Sequence, residues 1–339
     1  MTLMRPTAGA AEATDPGGST RRPATGRAVA VLALVALAAL IPLLGPSAAL
    51  HGTGEAAAPG AGGTAVLRTV LFAALCVPVG ELFAARLARR VPGAPLERAP
   101  RSLAPYAAVC GFAAALGLAS VVSTGNLVPH GLGDIDVGGL YRTRDGTLAL
   151  LEVNAFVVAG LCALSRRPAR QVWPLTAVAV AEALRAHPPS EHGPLTGSGL
   201  TLVHVLCATL WAGGLLHVLR TLRAWRAPEA GAALLGRYAR VAAVLLAAIT
   251  ATGVWSTLRR MPPDTVLDQL TTTAYGRVLL AKVVLVAGVA ALALWARLRL
   301  ARAADPLGAC SPARAEVVVL GVVVAVSALL TALPLPIRW

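Results

Sequence analysis

Residues 200–219 read LTLVHVLCATLWAGGLLHVL, twenty residues without a carboxylate, a lysine or an arginine. As a helix such a run spans the roughly 30 Å hydrocarbon core of a bilayer, so it predicts a transmembrane segment. It also carries an unusual polar set: His204, Cys207, Trp211, Gly213, Gly214 and His217. At about 100° per residue His204, Cys207 and Trp211 fall on one face. A polar face is costly against lipid, so this one is expected to look into a helix bundle, where His204 and Cys207 are spaced to contact one soft metal ion. Gly213 and Gly214 would let a neighbouring helix approach closely, and plain packing accounts equally for them and for Trp211. His217 lies about 20 Å further along the axis and about 140° around it, too far to share that metal. It marks the inner part of a path or reaches for the inner interface.

The rest of the chain repeats the membrane signal. Of 339 residues 56% are hydrophobic, before 33 glycines are counted, and the mean hydropathy is +0.70. Both exclude an ordinary soluble protein. Nine candidate spans run approximately over 28–45, 66–86, 104–123, 147–164, 172–186, 200–219, 241–258, 278–296 and 315–333, which predicts an all-α polytopic membrane helix bundle of about nine transmembrane helices. The fifth is short and holds Glu182 and Arg185, and hydropathy alone also suits a re-entrant segment there.

Charge placement sets the orientation. The net charge is +14, from 30 Lys+Arg against 16 Asp+Glu, and Lys282 is the one lysine. The arginines sit between the apolar runs and do not alternate with aromatic residues, which excludes a nucleic-acid groove. With the N-terminus inside and the fifth segment spanning, 21 of the 30 basic residues fall in cytoplasmic loops, as the positive-inside rule requires. Residues 1–27, rich in Gly, Pro, Thr and Arg, read as a disordered cytoplasmic tail. Residues 28–45 then form a first span acting as signal anchor, with a signal sequence cleaved near Ala49 as the alternative. Trp173, Trp225, Trp255, Trp295 and Trp339 fall near predicted helix ends, where indole packs on lipid and still hydrogen-bonds.

A shift of about 130 residues lays Leu140, Gly146, Leu150 and Val153 on Leu270, Gly276, Leu280 and Val283, and a slightly larger one lays Arg68 on His204 and Glu81 on His217. This predicts one span followed by two parallel four-helix units, 64–190 and 198–336. The alignment also sets Glu152 on Lys282, and an ion pair between them is the expected use of both. Glu182 lies one short loop before His187, Glu191 and His192, and this outer cluster is suited to attracting cations. His130, with Asp134 and Asp136 in a Gly-rich outer loop, is a further candidate, although each loop histidine can equally be a solvated polar residue. The five cysteines form no CxxC motif, so neither a zinc ribbon nor a disulfide framework is expected.

At these residues the chain resembles the copper resistance protein D family of bacterial inner-membrane proteins. The resemblance rests on the His187 to His192 loop, on His204 to Leu216 as HVLCATLWAGGLL, on Arg237 to Thr257 ending in TGVWST, and on Tyr275 to Lys282 as YGRVLLAK. It covers roughly residues 185–335, while the earlier spans match only loosely. It implies a copper ion as cargo, uptake across the cytoplasmic membrane, and a periplasmic copper-binding protein as partner. It also puts His187, His192, His204 and Trp211 on the family's His loop and His/Trp helix. With three methionines in the chain, a methionine-lined conduit is not available and histidine must carry the metal. The metal-ligand candidates are therefore His187, His192, His204, Cys207, His217 and His130, supported by Trp211, Glu182, Glu152 and Lys282. A haem protein carrying electrons and a factor delivering copper to an oxidase are the competing readings. Enzymatic hydrolysis is not expected, since no nucleophile sits in a recognisable motif and there is no P-loop.

Overall fold

A computed structural model describes residues 38–125, 127–129, 131–191, 193–302 and 311–335. The tail 1–27, the first part of the first span, His130, His192 and Trp339 lie outside the described residues. What is described is helical throughout. The helices are α1 (Ala38–Leu50), α2 (Ala61–Ala88), α3 (Ala104–Ser123), α4 (Val137–Arg142), α5 (Arg144–Leu164), α6 (Val172–Arg185), α7 (Pro194–Trp225), α8 (Pro228–Arg260), α9 (Val266–Thr272), α10 (Ala274–Arg302) and α11 (Ser311–Leu330). Six of them are long and apolar enough to cross a membrane: α2, α3, α5, α7, α8 and the Ala274–Trp295 part of α10. The proposed fifth span, α6, has 14 residues. At about 1.5 Å per residue that is about 21 Å, short of a bilayer core, so the helix count established by length and composition is smaller than nine.

Local chemistry explains the boundaries. Arg226 and Ala227 alone separate α7 from α8. Arg226 takes a left-handed conformation (φ 51°) that ends α7, and Pro228 opens α8 at a position where its missing N–H is not needed. So short a connection forces the two helices to run back along each other. Trp225, expected at an interface, is instead buried beneath this hairpin at 1% exposure, packed with Leu222, Leu219 and Leu234. Trp173, Trp255 and Trp295 remain exposed, as residues facing lipid would be.

The same junction occurs twice, 130 residues apart. After α4, Thr143 accepts a hydrogen bond from the Gly146 N–H (3.1 Å), and its own N–H donates to the Gly139 carbonyl. After α9, Thr273 accepts from the Gly276 N–H (3.0 Å), and its N–H donates to the Gln269 carbonyl. In each case a threonine caps the following long helix. In each case, too, a side chain on the glycine would collide with the backbone of the short helix, at Leu140 or at Gln269 and Leu270.

Three apolar clusters hold the described helices together. One surrounds Leu71, Leu75, Phe156 and Val178 among α2, α3, α5 and α6. A second surrounds Trp211, Leu215, Leu234 and Tyr238. The third joins α1 to α10 and α11 through Met261, Tyr275 and Leu329. The tightest crossing joins α2 to α7. A Cβ on Gly213 would run into the Cys76 carbonyl oxygen and the Gly80 Cα, and one on Gly80 into the Gly213 backbone. The backbones touch there because neither residue has a side chain, which is the close approach the glycine pair predicts.

Candidate functional site

Two sets of polar side chains lie within the helices. The first belongs to α2, α5 and α6. Glu152 is completely buried, and the Arg185 guanidinium lies 3.0 Å from it and 3.1 Å from Glu182. Arg68 reaches the other oxygen of Glu182 at 3.7 Å. Two acidic and two basic side chains, of formally balanced charge, thus form a buried cluster. Glu152 is not paired with Lys282. The expected repeat aligned these two residues in sequence, and the structure pairs Glu152 with Arg185 instead. Beside the cluster, Arg144 donates to the carbonyls of Leu184 (2.7 Å) and His187 (3.4 Å), which satisfies acceptors left open where α6 ends.

His187 follows directly and is also enclosed. Its Nδ1 lies 2.7 Å from a Glu191 oxygen and its Nε2 lies 2.9 Å from the Thr201 hydroxyl, so both ring nitrogens are engaged. Its ring packs on Gly197, where any side chain would strike it. Burial lowers its pKa below the ordinary imidazole value in spite of the neighbouring carboxylate. Arg259 of α8 reaches Glu191 at 3.5 Å and donates to the Gly193 carbonyl at 3.1 Å. The His187 loop therefore acts as a brace joining α6, α7 and α8.

The second set lines a cavity of about 100 Å³ among α2, α7, α8, α10 and α11. Its polar lining includes His204, Thr209, Lys282, Ser327 and Cys76, with Trp211 and apolar residues completing the wall. No carboxylate lines it, and no ion pair joins Lys282 to a carboxylate among the described residues. His204 Nδ1 lies 3.0 Å from the Thr252 hydroxyl on α8. That hydroxyl also lies 2.7 Å from the Ala248 carbonyl and 3.1 Å from the Ile249 carbonyl. Donation to either carbonyl leaves it to accept from the His204 Nδ1–H, the tautomer in which Nε2 carries the imidazole lone pair. Trp211 is fixed from behind, because the Tyr238 hydroxyl donates to its carbonyl at 2.7 Å.

The face expected to hold His204, Cys207 and Trp211 contributes only two of them. The α7 lining residues His204, Val205, Ala208, Thr209, Trp211 and Ala212 centre about 60° to one side of His204, whereas Cys207 lies about 60° to the other. Cys207 packs instead against the Trp211 and Tyr238 cluster. His217 is far down α7, where Arg220 approaches its Nδ1 at 3.3 Å while its Nε2 is buried without a hydrogen-bond partner, and it does not line the cavity. Nearby, Glu81 accepts from the Leu103 N–H at 3.1 Å and caps the start of α3. Among the described residues no three His, Cys, Asp or Glu side chains come together as a metal ligand group. Cys76, which its apolar run marks only as a buried small hydrophobe, and Glu316, in the first turns of α11, are buried as well. The Gly80 and Gly213 pair, which marks where α2 meets α7, was the available signal for Cys76.

Six apolar helices long enough to span a bilayer define a multi-pass membrane protein, and among them lies a mostly apolar cavity with a few polar groups in its wall. Residues 232–330, from the first turns of α8 to the end of α11, match the family model of copper resistance protein D. No curated protein and no solved structure matches the chain. The matched segment supplies Ile249, Lys282, Val286, Leu320 and Ser327 to the cavity wall and Thr252 to His204. His204 itself lies on α7, before the match begins.

Proposed function

We propose that the protein carries copper into the cell across the bacterial cytoplasmic membrane, with its N-terminus inside, and that the cavity around His204 is the intramembrane stage of that path. The observation that carries this reading is the place of His204, at the cavity wall with its Nδ1 3.0 Å from the Thr252 hydroxyl. The segment that matches copper resistance protein D thus holds this imidazole by one nitrogen, beside a cavity that could receive an ion. One ligand of this kind, unlike a closed cage of four, permits both binding and release, which net flux needs. In this reading the chain is one span followed by two parallel four-helix units. The first unit, closed by its ion pairs, is the fixed support, and the second is the conducting unit. The His187 loop couples the two and is where a periplasmic copper-binding protein would deliver its ion, with Glu191 as the first carboxylate met.

Cell-associated copper in a host lacking its own importer tests the reading. Wild type should raise it above an empty vector, and His204→Ala at equal membrane abundance should return it to the vector level. Equal copper in all three strains would reject transport, and lowered copper with wild type would reverse its direction.

A further inference from the structure

The cavity contains a second group able to bind a metal. Cys76, on α2, is buried, carries no disulfide and lines the same cavity as His204 and Lys282. Its place is set by the tightest crossing in the bundle. The Cys76 carbonyl is pressed against Gly213 of α7, so the turn of α2 that carries the thiol cannot shift without separating two backbones in contact.

The charge balance gives this thiol a role. Lys282 brings a cation to the cavity and no carboxylate lines it. A copper ion held by neutral imidazole alone would add a second positive charge next to an ammonium in a medium of low dielectric, which is unfavourable. A thiol avoids this. When copper(I) binds, the S–H bond breaks, the Cu–S bond forms and the proton leaves, so one unit of positive charge replaces another and the net charge of the cavity is unchanged. No electron is transferred. Thiolate is also the side-chain ligand that selects copper(I) over harder ions.

We infer that Cys76 is the thiol ligand for copper(I) in this cavity and that Cys207, which the cavity excludes, is not. This inference rests on the copper-transport reading and gives it a definite ligand on the first unit facing His204 on the second. X-ray absorption at the copper edge on the purified full chain loaded with copper(I) tests it. Sulfur scattering should be present in wild type and in Cys207→Ser and absent in Cys76→Ser. Competition with a chromogenic chelator should show affinity at least tenfold weaker in Cys76→Ser and changed less than twofold in Cys207→Ser. A variant that retains Cys76 but has the other four cysteines replaced by serine should keep the sulfur signal, which guards against a Cys76→Ser chain that misfolds. Sulfur persisting in Cys76→Ser, or bound copper without sulfur in wild type, would overturn the inference while leaving transport by way of His204 intact. Failure of wild type to bind copper(I) at all would overturn both.

Discussion

The two halves of the bundle use intramembrane charge in opposite ways. In the first, Arg68, Glu152, Glu182 and Arg185 close on one another. In the second, at positions that the proposed repeat aligns with Arg68 and Glu152, His204 and Lys282 face a cavity without a carboxylate. The packing follows the same division. α3 lies along α5 in the first half, whereas α8 and α10, their counterparts, make no comparable contact. Helices joined through opposed acidic and basic groups form a support. Helices that leave polar groups without opposite charges, and a gap between them, form a place for an ion.

This contrast can be broken most forcefully where the halves meet. Gly213→Val would push the α2 and α7 backbones apart, and we expect a loss of about 3 kcal/mol or more, seen as a collapse in yield and in thermal unfolding in detergent. Paired substitutions within the halves test the contrast itself. Glu152→Gln leaves the Arg185 guanidinium short of a partner in a buried site and should cost about 3 kcal/mol. Lys282→Met breaks no ion pair and should change stability by less than about 1 kcal/mol. Equal losses would show that Lys282 is as tightly held as Glu152, and the distinction between support and site would fail.

The smallest expected effect concerns the brace. The His187 ring is held below its ordinary pKa of 6.5, so the folded chain resists protonation that the unfolded chain accepts. Stability is therefore full above about pH 6.5 and falls as the pH drops towards the folded value. In His187→Gln the fall in melting temperature between pH 7 and pH 5 should be shallower than in wild type. An unchanged slope would mean that His187 is not the group responsible.

Much of the architecture was legible in the sequence because hydropathy reports length along a helix. The apolar runs became helices, the glycine pair of α7 became a close crossing, and Gly146 and Gly276 proved to sit in matching threonine-capped junctions. What a single chain does not report is azimuth, meaning which helix each face meets. Glu152 was therefore matched with Lys282 by alignment when its partner was Arg185, one helix further along the same unit. Cys207 was placed with His204 because three residues turn a helix nearly full circle, yet the cavity opens on the other side of His204. Cys76 had no polar neighbour to draw attention to it, and only the pairing of α2 with α7 reveals what it faces. The short α6 was doubtful on hydropathy for a physical reason, since the two charges that weaken its signal are the ones that bind it to α5 and α2.

The central claim is that copper crosses at His204. Uptake of radioactive copper into liposomes containing the purified protein measures this without any other cellular component. Liposomes with wild type should accumulate copper above protein-free liposomes, and those with His204→Ala should not. Equal accumulation by wild type and His204→Ala, or none by wild type, would contradict it.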